Sequence, residues 1–136
     1  MTLNKIGIIS CSGEECAGGT ISRLAVRKMM EEMRPGQVST LCLPLFIAGD
    51  GGERSFAEKY PTIAVDGCSK CCAKRAIEKF SNKVAGSVDV EALIGAEAAL
   101  DQTVSTRELN DQHRAAIEKT VEETCRLFDE IASKAL

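Results

Sequence analysis

The chain has 136 residues, a length that fits one domain with an ordinary buried core. Its formal net charge is -3, with a sequence pI of about 5.3, so bulk charge gives nucleic acid no reason to bind. It has no Trp and one Tyr, which argues against a base-stacking surface, and its longest apolar run is far too short to cross a bilayer.

The opening segment, "MTLNKIGIIS", is too weakly apolar for a signal peptide and reads as a first strand over Ile6, Gly7, Ile8 and Ile9. "CSGEECAGGT" follows. Its glycines allow a tight turn, and Thr20 is placed to cap the next helix. Ile21, Leu24, Ala25, Met29 and Met33 keep helical spacing down to Pro35 and Gly36, which end the helix. A second strand is expected near Val38 to Leu43, then a glycine-rich loop, "LFIAGDGGER", that could cover the sheet edge as a lid. A short helix around Ser55 to Tyr60 precedes the third strand, "TIAVD", which Gly67 breaks. A helix should begin near Cys68 and run through "AKRAIEKF", and a fourth strand lies near "SVDVEAL". "STRE" at Ser105 has capping-box form. The last helix then carries Leu109, Ile117, Val121, Cys125, Phe128 and Ile131 on one stripe, with His113 at its edge.

Short apolar strands alternating with helices point to an α/β domain spanning residues 1–136, three layers deep, with a mostly parallel four-stranded sheet of Rossmann-like or flavodoxin-like kind. Right-handed crossovers leave few topologies, and the order 2-1-3-4 is expected. There are no internal repeats and no low-complexity tail.

The seven cysteines are the anomaly: Cys11, Cys16, Cys42, Cys68, Cys71, Cys72 and Cys125. With no secretion signal, a cytoplasmic setting is the simplest reading, and there a disulfide framework is disfavoured. Metal binding or thiol chemistry leads. Ligand sites in an open parallel sheet form beyond the carboxyl ends of its strands. Cys11 follows the first strand, Cys42 lies at or near the end of the second, and Cys68 and Cys72 follow the third. Neighbouring strands are about 4.8 Å apart, so these side chains can share one ion. Zinc takes four thiolates at about 2.3 Å. Lys74 and Arg75 near a helix amino terminus would offset part of the cluster's charge. Cys68 and Cys71 also form a CxxC, so Cys71 competes with Cys72. On a helix, residues 68 and 72 differ by about 40° and residues 68 and 71 by about 60°, a small margin.

"CSGEECAGGT", "LCLPLF" and "VDGCSKCCAKR" together resemble the DGC family, named for its Asp-Gly-Cys motif. Asp66, Gly67 and Cys68, followed by Cys72 and Ala73, match the motif itself. Cys11, with Gly13, and Cys42 match the family's other cysteines. The resemblance implies a small prokaryotic protein with a four-cysteine site for zinc, formed by Cys11, Cys42, Cys68 and Cys72, and implies no known reaction. Cys16 and Cys71 lie outside that core. The metal ion is the one partner this suggests; neither nucleic acid nor a membrane is expected.

The same residues admit three other readings. The first is a thiol redox or sulfur-transfer enzyme using Cys11 with a resolving cysteine. The second is an iron–sulfur cluster, which four cysteines can also hold. The third follows from the first loop, which resembles the phosphate loop of low-molecular-weight tyrosine phosphatases. Those need an Arg where this chain has Ala17, so bidentate oxyanion binding is missing. "AGGT" lacks the Lys of a nucleotide-binding P-loop, and its glycines read as serving a tight turn and close packing.

Overall fold

The computed structural model describes residues 5–13, 16–100 and 109–134. Strand β1 (Ile6–Ser10) and strand β3 (Thr62–Asp66) form the centre of the sheet. Strand β2 (Val38–Thr40) pairs on the outer side of β1 and strand β4 (Gly86–Asp89) on the outer side of β3. All pairs are parallel, and the order is the expected 2-1-3-4.

Alternation along the two central strands divides the core. Ile6, Ile8, Ile63 and Val65 face one side, where they pack with helix α1 (Ala17–Lys28) and the last helix, α6 (Asp111–Lys134). Ile9 and Ala64 face the other. There they meet helix α2 (Leu43–Ile47), helix α3 (Gly51–Lys59) and helix α4 (Cys72–Phe80) through Phe46, Ala57 and Ile77. Period-two packing on both faces is what a three-layer domain requires. Each fully buried Ile or Phe contributes about 1.5–3 kcal/mol through area removed from water.

Several boundaries differ from expectation, each for a local reason. Helix α1 starts at Ala17, so Thr20 is buried inside its first turns and caps nothing. Its end widens into a π-helical turn over Met29–Met33. Met29 is buried there and Met33 is exposed, because the wider turn breaks the i to i+4 stripe. The second strand stops at Thr40, and Leu43 belongs to α2. The glycine-rich "loop" holds two helices: Pro44 sits in the first turn of α2, where a missing N–H costs nothing. Asp50 caps α3 by accepting a hydrogen bond from the Glu53 N–H at 3.1 Å. Arg54 then ties the pair together. It donates to the carbonyls of Phe46 and Ile47 at 2.8 and 3.0 Å and lies 4.1 Å from the Phe80 ring. A lid across the edge is therefore not what this segment forms.

Strand β4 runs directly into a short helix, α5 (Val90–Ile94), capped by Asp89 through the Ala92 N–H. The "STRE" capping box lies outside the described residues. Within them, Asn110 caps α6: its side chain accepts from the His113 N–H at 2.8 Å, and His113 Nδ1 accepts from the Asn110 N–H at 3.3 Å. No helix among the described residues is long and apolar enough to cross a membrane.

Candidate functional site

At the carboxyl end of the two central strands, the chain leaves the sheet through two loops that touch backbone to backbone. The Cys11 N–H donates to the Val65 carbonyl at 3.0 Å, which extends the ladder by one residue. Gly18, in the first turn of α1, lies against Gly67, just past β3. A Cβ on Gly18 would come within 2.5 Å of the Gly67 carbonyl oxygen, and one on Gly67 would strike the Gly18 backbone. Gly19 meets Gly13 in the same manner. These glycines serve close approach. The Gly18 N–H is taken by the Leu100 carbonyl at 2.9 Å, which closes the far wall.

The approach leaves a cavity of about 160 Å³ lined by Cys11, Cys16, Cys68 and Cys72, with Gly13, Gly19, Gly67, Lys70 and Leu100. Four thiols from the starts of α1 and α4 and the loops before them thus meet one space. Cys11 has two polar neighbours. Its sulfur accepts from the Gly67 N–H at 3.3 Å and lies 3.4 Å from Ser22 Oγ. Ser22, fully buried, donates to the Gly19 carbonyl at 2.8 Å. With that hydrogen committed, the Cys11 thiol is the donor toward Ser22 in the neutral state.

Helix α4 begins at Cys72, not at Cys68. Residues 68–71 form a turn, closed by the Cys71 N–H to the Cys68 carbonyl at 3.1 Å. The helical-spacing argument for pairing Cys68 with Cys72 therefore fails, although both line the cavity. Cys71 has left-handed backbone, φ 51°, immediately before the helix and does not line the cavity. Asp66, 1% exposed, takes over the capping of α4. It accepts from the Ala73 N–H at 2.7 Å and the Lys74 N–H at 3.1 Å. Burial pushes its carboxyl up from the ordinary range, and those two bonds pull the other way. The Ser69 N–H is held by Glu91 of α5 at 3.1 Å.

At Cys71 and Cys72 the surroundings favour the neutral thiol. Burial pushes the Cys72 thiol up, and the nearby Asp66, Cys11 and Cys68 add to the shift. Burial pushes Cys71 up as well, with Asp66 and Asp89 behind it. A cation entering the cavity would supply the missing counter-charge and displace protons from the thiols.

Of the expected ligands, then, Cys11, Cys68 and Cys72 line one cavity and Cys42 does not. Cys42 is exposed at the N-cap of α2, its N–H donating to Glu53 at 3.2 Å. Cys16, read as accessory, lines the cavity. The signal for it was available in the start of α1, once that helix is placed at Ala17. Among the described residues, no three His, Cys, Asp or Glu side chains stand in an arrangement that could hold an ion. The donor chemistry fits a soft metal all the same, because four thiols share a space of about 160 Å³. Cys125 is elsewhere, partly buried between α1 and α6 with its sulfur 3.4 Å from Met29 Sδ. His113 is engaged at the α6 cap.

A parallel α/β domain with a thiol-lined cavity at its carboxyl edge is the class this fold and site define. The chain belongs to the DGC-domain family, whose model matches residues 7–123. The match spans the sheet, the Asp66-Gly67-Cys68 motif and half of α6. No curated protein and no solved structure matches the chain.

Proposed function

We propose that this protein holds one zinc ion, or another soft metal, through cysteine thiolates at the carboxyl edge of its sheet, in a prokaryotic cytoplasm. The observation that supports it is the shared lining of one small cavity by Cys11, Cys68 and Cys72. Thiolates are soft ligands, and tetrahedral sulfur coordination is the geometry zinc favours. The resemblance to the family implies Cys42 as the fourth ligand, although it does not line the cavity as the fold stands. Cys16 is the alternative fourth ligand because it already lines the space.

The test is metal analysis of anaerobically purified protein, with an absorption spectrum and single Cys→Ser variants. We expect about one zinc per chain, no visible bands, and loss of stoichiometric uptake in Cys11→Ser, Cys68→Ser and Cys72→Ser. Of Cys42→Ser and Cys16→Ser, the one that loses uptake identifies the fourth ligand. Protein with no metal and no high-affinity uptake would overturn the proposal, and visible charge-transfer bands would favour an iron–sulfur cluster.

A second reading has one observation behind it. Cys11 and Cys16 line the same cavity, and Cys11 accepts an N–H from Gly67, an arrangement suited to a thiol redox or sulfur-transfer pair. A Cys11–Cys16 disulfide formed under mild oxidation, with no metal uptake by the reduced protein, would favour it.

A further inference from the structure

Cys72 faces two spaces. It lines the thiol cavity, and it also lines an open groove of about 650 Å³ along the outer face of α4, with Arg75, Ala76, Glu78 and Lys79. That volume lies in the range of small-molecule sites. Two cations, Arg75 and Lys79, line it, and Lys70 lines the thiol cavity on the other side of Cys72. Among the described residues neither Arg75 nor Lys79 forms an ion pair with a carboxylate, whereas Arg27, Lys28, Arg34, Arg114 and Arg126 all do. Arg75 donates to the Lys70 carbonyl at 3.3 Å, and the Lys79 ammonium lies 5.3 Å from the Phe80 ring. Glu78 is the single acid lining the groove, against two cations. In a chain of net charge -3, this is a local reversal of sign placed beside an exposed thiol.

We propose that this groove docks a small disulfide that carries carboxylates, and that Cys72, in its lining, is thiolated by it. Arg75 and Lys79 hold the carboxylates, and the Cys72 sulfur attacks the nearer sulfur of the disulfide. One sulfur–sulfur bond forms and one breaks. The Cys72 proton goes to solvent, and the departing half leaves as a thiolate, so no outside oxidant is needed. The consequence for the cavity rests on the metal-binding reading: a thiolated Cys72 is withdrawn as a ligand. The docking itself does not rest on that reading.

The experiment uses reduced, metal-free, full-length protein and so stands whether or not the cavity takes zinc. Dithiobis-nitrobenzoate, a dicarboxylate, and dithiodipyridine, which is neutral, are applied in brief limiting pulses. Labelling is then read at each cysteine by peptide mass spectrometry. Cys42 is the internal control: it too is exposed, and the side chain beside it is the acidic Glu53. At Cys72 the dicarboxylate should be favoured over the neutral reagent by about tenfold relative to Cys42, the low end of electrostatic focusing. Added salt should shrink the preference. The double variant Arg75→Gln, Lys79→Gln should abolish the preference, read as the ratio of the two reagents at Cys72; losing Arg75 also removes a charge that favours the Cys72 thiolate, and that slows both reagents alike and cancels in the ratio. An equal reagent ratio at Cys72 and Cys42 would overturn the proposal, as would a preference that survives in the double variant.

Discussion

Two thiol neighbourhoods in this molecule differ in what surrounds the sulfur. At the sheet edge, Cys11 meets a backbone N–H and a buried hydroxyl, Cys72 opens onto cations, and the loops that carry them are pressed together through glycine. In the seam between α1 and α6, Cys125 meets Met29 and the apolar cluster around Val121 and Phe128. The seam uses cysteine as a small hydrophobe. The edge gives sulfur partners that respond to charge, in loops fixed by backbone contact. A count of cysteines does not separate these uses; the residues beside them do.

The backbone contact is the feature whose loss should cost most. Gly67→Ala places a methyl on the Gly18 backbone, where no side-chain rotation can make room. We expect a loss of about 3 kcal/mol in denaturant unfolding, the upper part of the range for overpacking. In any protein that still folds, metal uptake should fail with it. Gly51→Ala is the matched control. Its Cβ would meet nothing within 4 Å, and it lies in the first turn of α3, so stability should hold or rise slightly. Equal effects from the two substitutions would remove the distinction between a preset corner and an ordinary one.

A smaller effect should come from Cys71. Its left-handed backbone, φ 51°, costs a side-chain-bearing residue about 1 kcal/mol, and glycine avoids that cost. Cys71→Gly should therefore stabilise the fold by up to about 1 kcal/mol and leave metal uptake intact, since Cys71 does not line the cavity. Loss of metal in this variant would move the ligand from Cys72 to Cys71 and make the edge a CxxC site.

The sheet order was legible because each strand is a short apolar run with a helix-forming stretch after it, and chain connectivity then restricts the topology. The grouping of Cys11 with Cys68 was legible for the same reason: β1 and β3 are neighbours, so residues just past their ends must be close. What was not legible follows from compact local devices. "LFIAGDGGER" reads as loop because glycine is a poor helix former, yet Asp50 and Glu53 carry the spacing of a capping box around the two glycines. The start of α4 was displaced because its cap, Asp66, comes from the end of a strand rather than from the residue before the helix. That shift removes the i to i+4 argument for Cys72. The place of Cys42 depends on where β2 stops, and three residues of ladder are too few for a pattern to fix that end.

The smallest expected effect tests the seam side of the comparison. Burial pushes the Cys125 thiol above its ordinary value of 9.0, Asp129 adds to the shift, and Arg34 opposes it. For an acid whose value is raised on folding, the native state holds its proton longer than the unfolded chain does. The resulting stability is fully present below the unfolded value and is lost as pH rises through the folded one. Cys125→Ala should cost about 0.5 kcal/mol at neutral pH, the cost of removing one partly buried heavy atom. The gap between wild type and variant should then narrow as pH rises above 9.0, because only the wild type has that proton to lose. Cys71 and Cys72 are also raised, but they titrate in both proteins and cancel in the difference. Unfolding curves at neutral pH and at two alkaline values would measure it. A gap that widens with pH would mean that the Cys125 thiolate is stabilised in the fold, with Arg34 outweighing burial. The seam would then have the charge-sensitive character that we assign to the edge alone.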